Sequence, residues 1–186
     1  MRPFSADSLW TYDNKVLKNK FNIKDKELLN KKEKEITHNK INNFKDYNDF
    51  SLKGFLNLHK YLFEDLYNFA GQIRDENVTL DNIMLCQFGV IELCLKDLFR
   101  NLKEVKINSH DDMLIFLAYY YSELMVILPF RDGNEVTIKL FLELYLKKHG
   151  YNFDFKKIDN AKLWEATKYA FYYNPDKLYE LLKETI

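Results

Sequence analysis

The residues with the greatest potential for chemistry lie in one segment, LPFRDGNEVTIK, at positions 128–139. Asp132, Gly133 and Asn134 come directly before a stretch that predicts a helix over about 135–148. Free backbone N–H groups and the positive end of the helix dipole at such a helix N-terminus attract anions. A carboxylate suits Mg²⁺, and a glycine lets the backbone approach a ligand closely. The segment therefore predicts a phosphate-binding loop.

The same three residues also have a purely structural interpretation. Asp132 and Asn134 are residue types that cap helix N-termini. Gly133 is the residue type that a tight turn favours. Phosphate loops and ordinary helix starts share these residue types, so local chemistry leaves both interpretations open.

This segment resembles the signature of the Fic family, His-Pro-Phe-x-(Asp/Glu)-Gly-Asn-Gly-Arg-x-x-Arg. The identities fall at Pro129, Phe130, Asp132, Gly133 and Asn134. Three further segments resemble the family in the same order along the chain: VLKNKFNIKD near the N-terminus, LHKYLFEDLYNFAGQIRDENV in the middle and WEATKYAFYYNPDKLYELL near the C-terminus. The resemblance implies an all-α fold, a Fic helical bundle with a small β-hairpin flap, and one domain over residues 1–186.

The resemblance also implies a reaction, the transfer of AMP from Mg²⁺-bound ATP to a hydroxyl of a target protein. In the family, the first histidine of the signature takes the proton from that hydroxyl, and Asp132 is the metal-ligand position. Gly133 and Asn134 belong to the nucleotide-binding loop. Here the position of the histidine is Leu128, which can neither accept a proton nor form a hydrogen bond. We therefore expect an adenylyltransferase relative that is impaired or inactive.

Three further positions depart from the signature. Glu135 replaces its second glycine, Val136 its first arginine and Lys139 its second arginine. A carboxylate at a helix N-terminus competes with phosphate for the same dipole, and lysine lacks the planar fork of arginine. Two lost charge-assisted contacts of about 1.5–3 kcal/mol each would weaken phosphate binding by roughly two to four decades. As an alternative, Glu135 could serve as a substitute base.

A second candidate site is the segment between two predicted helices. Residues 72–84 break the helical period, and Val78, Leu80 and the Asp81-Asn82 pair predict a short hairpin or an extended flap. In the family this flap clamps an extended target segment by strand addition. The flap residues are Asn77, Val78, Thr79, Leu80, Asp81, Asn82 and Ile83. The alternative is an ordinary exposed hairpin.

The remaining sequence predicts helices that position these two segments. Their approximate ranges are 26–39, 52–70, 85–102, 109–127, 135–148, 160–173 and 175–185. Ser51 is the predicted N-cap of the second helix, and Asn108 or Ser109 that of the fourth. His59 lies on an apolar helix face and is predicted to be a core residue. The other histidines, His38, His110 and His149, are predicted to lie at the surface.

Composition narrows the class of function. The 186 residues include 28 Lys and Arg and 28 Asp and Glu, so there is no general attraction to nucleic acid or to an anionic membrane. No apolar run approaches the length of a membrane span, and we expect a cytoplasmic protein. Three functions remain open: a Fic protein with little transfer activity, a catalytically dead interaction or scaffold protein that binds a partner through the flap, and an active transferase with altered chemistry.

Overall fold

The computed structural model of the protein describes residues 2–6, 8–13 and 15–185. Within them the fold is helical, as predicted, with one small two-stranded sheet. The helices are α1 (Lys26–Asn42), α2 (Leu52–Phe63), α3 (Ile91–Leu102), α4 (His110–Ile127), α5 (Asn134–Lys148), α6 (Asn160–Tyr172) and α7 (Asp176–Lys183), and the strands are β1 (Thr79–Leu80) and β2 (Ile83–Met84).

Helix α4 forms the centre of the bundle. Its sequence is apolar on every side, and it packs against α3, α5, α6 and α7. The Ser109 hydroxyl accepts the N–H of Asp112 at 3.0 Å and so begins the helix where a cap was predicted. Helix α4 ends at Ile127, because the residue before Pro129 is excluded from helical geometry. The buried apolar side chains form one continuous cluster.

Helix α2 is shorter than the predicted 52–70. It ends at Phe63, and the chain continues in successive turns to Gly71, which has φ +79°. In these turns Leu66, Tyr67 and Phe69 become buried. The prediction was wrong because three- and four-residue spacing of apolar residues also fits a chain of turns packed against a core.

Helix α3 also begins later than the predicted residue 85. A short 3₁₀ turn at Phe88–Val90 precedes it, and the helix starts at Ile91. The N–H of Cys86 donates to the carbonyl of Val126 at 3.1 Å, which holds the chain extended against the end of α4. This contact depends on a residue 40 positions away, so local periodicity could not show it.

The predicted hairpin is present. Thr79 faces Met84 and Leu80 faces Ile83 in antiparallel register. Asp81 and Asn82 have φ +53° and +62°, the two positive values that a two-residue type I′ turn requires. A third segment joins the flap, because Phe4 forms an antiparallel bridge with Thr79.

No helix among the described residues is long and apolar enough to cross a membrane.

Candidate functional site

The signature loop begins with a sharp reversal at Leu128. This residue has φ +43° and ψ +65°, a left-handed conformation that is uncommon for leucine, and its side chain is only 1% exposed. Residues 128–133 then connect α4 to α5 without regular structure. Because both helices are packed in the core, the loop is fixed at its two ends.

Arg74 holds the first half of this loop, although no sequence pattern predicted this role. Its Nε donates to the carbonyl of Leu128 at 2.8 Å and its Nη1 to that of Glu76 at 2.6 Å. Nη2 donates to the carbonyls of Ile127, at 3.2 Å, and Cys86. The guanidinium therefore neutralises free carbonyls at the C-terminus of α4. Burial lowers the pKa of Arg74 to about 10.

His59 holds the second half of the loop. The N–H of Gly71 donates to its Nδ1 at 2.8 Å, so the proton lies on Nε2, which donates to the carbonyl of Asp132 at 2.9 Å. The ring stacks on Phe130 with centroids 3.7 Å apart. Burial lowers the pKa of His59 to about 3, so the ring is neutral. The prediction of a core histidine is confirmed, as is the exposure of the other three histidines.

The turn into α5 is closed by a reciprocal pair of hydrogen bonds. Asn134 Oδ1 accepts the N–H of Phe130 at 2.8 Å, and its Nδ2 donates to the carbonyl of the same residue at 2.8 Å. Gly133 has φ +74°, and an added Cβ would overlap the ring of Phe63. The glycine thus makes the turn, while Asn134 closes the loop rather than capping the helix.

Asp132 is buried and lines a cavity. Its Oδ1 accepts the N–H of Gly133 at 2.8 Å. Its Oδ2 forms an ion pair of 2.7 Å with Nη1 of Arg2, a residue 130 positions earlier. Although the angle of this contact is unfavourable for a hydrogen bond, the distance places opposite charges side by side.

Arg2 also joins a second carboxylate to the site. Its Nη2 lies 2.7 Å from Glu33 Oε2, and the hydroxyl of Tyr67 donates to the same oxygen at 2.6 Å. Burial and the charge of Asp132 raise the pKa of Glu33. Burial lowers the pKa of Arg2, but Asp132, Glu33 and Tyr67 together raise it further. No sequence pattern predicted this cluster, because its members come from four separate segments.

Lys139, the basic residue at the end of the signature, forms an ion pair with another residue of α5. Lys139 Nζ lies 2.6 Å from Glu135 Oε1, one turn earlier, and donates to Asn160 Oδ1 at 2.9 Å. Val136, at the position of the family's first arginine, is exposed. The only charged departures from the signature therefore satisfy each other.

A cavity of about 910 Å³ opens between the flap, the signature loop, α1 and α6. Leu128, Tyr121 and Met125 form part of its apolar wall. Its basic lining residues are Arg2, Lys26 and Lys34, and its acidic ones are Glu33, Asp81, Asp132, Glu135 and Glu165. Carboxylates outnumber cationic groups, so the lining disfavours a polyanion.

The flap residues divide into two groups. Val78 and Leu80 are buried, whereas Asn77, Asp81 and Asn82 are exposed, and Thr79 and Ile83 are half-buried. Asp81 is fixed by Trp164 Nε1 at 3.1 Å and by Lys168 Nζ at 3.2 Å. The flap is therefore tied to α6 across the cavity mouth.

A family model described as the Fic/DOC family matches residues 49–146, more than half of the chain and the whole of the signature loop. The chain belongs to the Fic/DOC family. It is 26% identical over 140 residues to a protein named protein adenylyltransferase VbhT from Bartonella schoenbuchensis, covering 74% of this chain and 29% of VbhT. The chain thus spans less than a third of that relative's length.

Solved Fic domains confirm the fold. The N-terminal Fic domain of Bep8, from Bartonella sp. 1-1C, superposes with a TM-score of 0.87 at 22% identity, covering 95% of this chain and 91% of that one. BepC from Bartonella tribocorum, solved with bound AMPPNP, has a TM-score of 0.85 at 23% identity and 95% coverage of both chains.

The arrangement of charges at the site determines whether these residues could hold the Mg²⁺–ATP that the family uses. A divalent cation needs free oxygen ligands, but Gly133 and Arg2 engage the two carboxylate oxygens of Asp132. Among the residues that the structure describes, no group of three His, Cys, Asp or Glu side chains could hold a metal ion. With Arg2 in place, the side chains present do not fit the metal-bound nucleotide.

Proposed function

We propose that this Fic protein lacks base-assisted AMP transfer. The observation that carries the proposal is Leu128, an apolar, buried side chain at the position of the family's general base and in the wall of the cavity. General bases contribute roughly 10²–10⁴-fold to proton-transfer reactions, and leucine contributes none of this. The names of adenylyltransferase relatives support an origin in AMP transfer.

We further propose that ATP binds weakly at this site. Three charge arrangements support this: Arg2 on Asp132, Glu135 on Lys139, and the excess of carboxylates in the cavity lining. Each replaces a contact that a phosphate or its cation would make. The nucleotide-binding roles of Gly133, Asn134, Glu135, Val136 and Lys139 and the metal role of Asp132 remain predictions.

Labelled AMP transfer separates this proposal from an altered transferase. The protein is incubated with α-³²P-ATP, MgCl₂ and a cell lysate, beside the triple variant Arg2→Gln, Glu135→Gly, Val136→Arg and the quadruple variant that adds Leu128→His. We expect no labelling by the natural protein, ATP binding without labelling by the triple variant, as measured by calorimetry, and labelling by the quadruple variant alone. Labelling by the natural protein that Asp132→Asn abolishes would establish an active transferase and refute the proposal.

A second candidate function is partner binding through the flap. The observation that favours it is the outer strand β2, where Met84 is 70% exposed and no further strand pairs on its outer side among the described residues. An extended target segment could add there by backbone hydrogen bonds. This function predicts that Met84→Pro, which removes the N–H that faces outward from the free edge of β2, abolishes partner recovery in a pull-down while the fold is retained.

A further inference from the structure

The N-terminal residues form an additional layer over the candidate site. The N–H of Phe4 donates to the carbonyl of Thr79, and the N–H of Thr79 donates to the carbonyl of Phe4, both at 2.8 Å. This reciprocal pair bridges residues 2–5, hereafter the N-terminal arm, to the edge of β1 in the flap. One of the two flap edges is thus already paired within the chain.

The signature loop holds the arm from the other side. Arg131, at the variable position of the signature, is 3% exposed and donates from Nη1 to the carbonyl of Pro3 at 3.0 Å. Its Nε forms an ion pair with Glu76, which also accepts the hydroxyl of Ser8 at 2.8 Å. The arm therefore has a fixed position between the flap and the loop.

This position sets the guanidinium of Arg2 between Asp132 and Glu33, at 2.7 Å from each carboxylate. The hydroxyl of Tyr67 accepts a hydrogen bond from Nη1 at 3.1 Å. Arginine offers donors only and keeps its charge at every physiological pH. A divalent cation bound to Asp132 Oδ2 would therefore meet a like charge that cannot be removed by deprotonation.

We propose that Arg2 is an intramolecular competitor of divalent cations at Asp132, delivered by the pairing of the N-terminal arm with the flap. The site exists in two exclusive states, one with the guanidinium on Asp132 and Glu33 and one with the arm displaced and the carboxylates open. The inference depends on one part of the proposed function, that Asp132 occupies the cation position. It does not depend on whether AMP is transferred.

Mn²⁺ is the probe, because it has the same preference for carboxylate oxygen as Mg²⁺ and free Mn²⁺ is counted by electron paramagnetic resonance. The natural chain is compared with Arg2→Gln and with the double variant Arg2→Gln, Asp132→Asn. Arg100→Gln is the matched control, since Arg100 is 72% exposed and pairs only with Asp97 among the described residues. Circular dichroism establishes that each variant is folded.

We expect Arg2→Gln to bind Mn²⁺ about tenfold or more tightly than the natural chain, a change equivalent to about 1.4 kcal/mol. Asp132→Asn should cancel this gain, and Arg100→Gln should leave the affinity unchanged. Equal affinity of the natural chain and folded Arg2→Gln, or no binding by either, would overturn the proposal. Because transfer is not measured, this result is independent of the labelling experiment.

A second variant keeps the test decisive if Arg2→Gln does not fold. Phe4→Pro removes the N–H that donates to Thr79 while Arg2, Glu33 and Asp132 all remain. Displacement of the arm should then raise Mn²⁺ affinity in the same direction. An unchanged affinity in folded Phe4→Pro would show that pairing of the arm with the flap does not deliver the guanidinium, and would refute the mechanism.

Discussion

The ring of His59 is bonded at Nε2 to the backbone carbonyl of Asp132, 2.9 Å away, and this contact joins α2 to the signature loop. The ring is fully buried and neutral, with its pKa lowered to about 3 by burial. Its ordinary value in an unfolded chain is about 6.5. Between these values the unfolded chain binds a proton that the folded chain does not.

His59 should therefore make the protein acid-sensitive. Its contribution to the free energy of unfolding is fully present above pH 6.5 and falls as the pH drops toward 3. At pH 4.5 the expected loss is about 2.7 kcal/mol, two pKa units at about 1.36 kcal/mol each. We predict that His59→Gln lowers stability at pH 7 and removes this part of the pH slope, as measured by urea unfolding from pH 4.5 to 7.5.

The control for this slope is His38→Gln, because the His38 ring is exposed and hydrogen-bonds to its helix neighbour Asn42. It should leave both stability and pH slope unchanged. The raised pKa of Glu33 acts in the opposite direction, since its contribution is lost as pH rises above about 4.5. Because Glu33 is present in every variant, its contribution cancels when the pH slopes of the unfolding free energy are compared between variants. An unaltered slope in His59→Gln would contradict a buried neutral ring.

A second prediction concerns the glycine of the signature loop. Gly133→Ala meets both a positive φ and the ring of Phe63, whereas Gly150→Ala meets a positive φ of +85° in open space. We expect Gly150→Ala to cost about 1 kcal/mol of unfolding free energy and Gly133→Ala about 3 kcal/mol or more. Urea unfolding of the two variants measures the difference.

A double-mutant cycle assigns that difference to the ring. Phe63→Leu is destabilising alone, but in combination with Gly133→Ala it should recover about 1 kcal/mol or more, because the shorter side chain leaves room for the methyl group. Additive costs would mean that backbone conformation, rather than the overlap with Phe63, limits residue 133.

The sequence predicted best those features that depend on neighbouring residues. The Asp81-Asn82 turn and the caps at Ser51 and Ser109 follow from the residue types at the turn and helix start themselves, and all are present. The loop at residues 128–133 was located by a motif. In each case the controlling interaction spans only a few positions.

The remaining features of the fold and of the candidate site depend on contacts between segments that are distant in sequence. Arg74 reaches the carbonyl of Leu128, 54 residues away, and Arg2 reaches Asp132 from a segment with no regular structure. Neither contact leaves a periodic pattern in the sequence. For the same reason the signature placed a metal ligand at Asp132 without showing the counter-charge that the fold supplies from outside the signature.

Arg74 gives a third prediction. Arg74→Lys keeps one charge but cannot reach the four carbonyls that the guanidinium satisfies, and the freed groups remain buried. We expect a loss of about 3 kcal/mol or more in unfolding free energy. Arg100→Lys, on the exposed face of α3, should change it by less than about 0.5 kcal/mol. Similar small losses in both variants would refute a structural role for the Arg74 fork.

The last prediction concerns the pair Glu135 and Lys139. With Nζ 2.6 Å from the carboxylate, the lysine is neutralised, and the carboxylate adds a negative charge at the N-terminus of α5. Glu135→Gln removes that charge and leaves Lys139 with an amide neighbour. We expect affinity for pyrophosphate, measured by calorimetry without divalent cations, to rise by about tenfold, the value of one charge-assisted contact of about 1.4 kcal/mol.

Omitting the divalent cation separates this prediction from competition at Asp132, because a metal-free anion does not need that carboxylate. Glu165→Gln is the control, since Glu165 lines the same cavity but pairs with Lys168 on α6 rather than with the signature. If both variants gained affinity equally, the gain would reflect the overall charge of the cavity. If Glu135→Gln alone gained affinity for pyrophosphate, the ion pair of Glu135 with Lys139 would be the feature that prevents anions from binding at the N-terminus of α5.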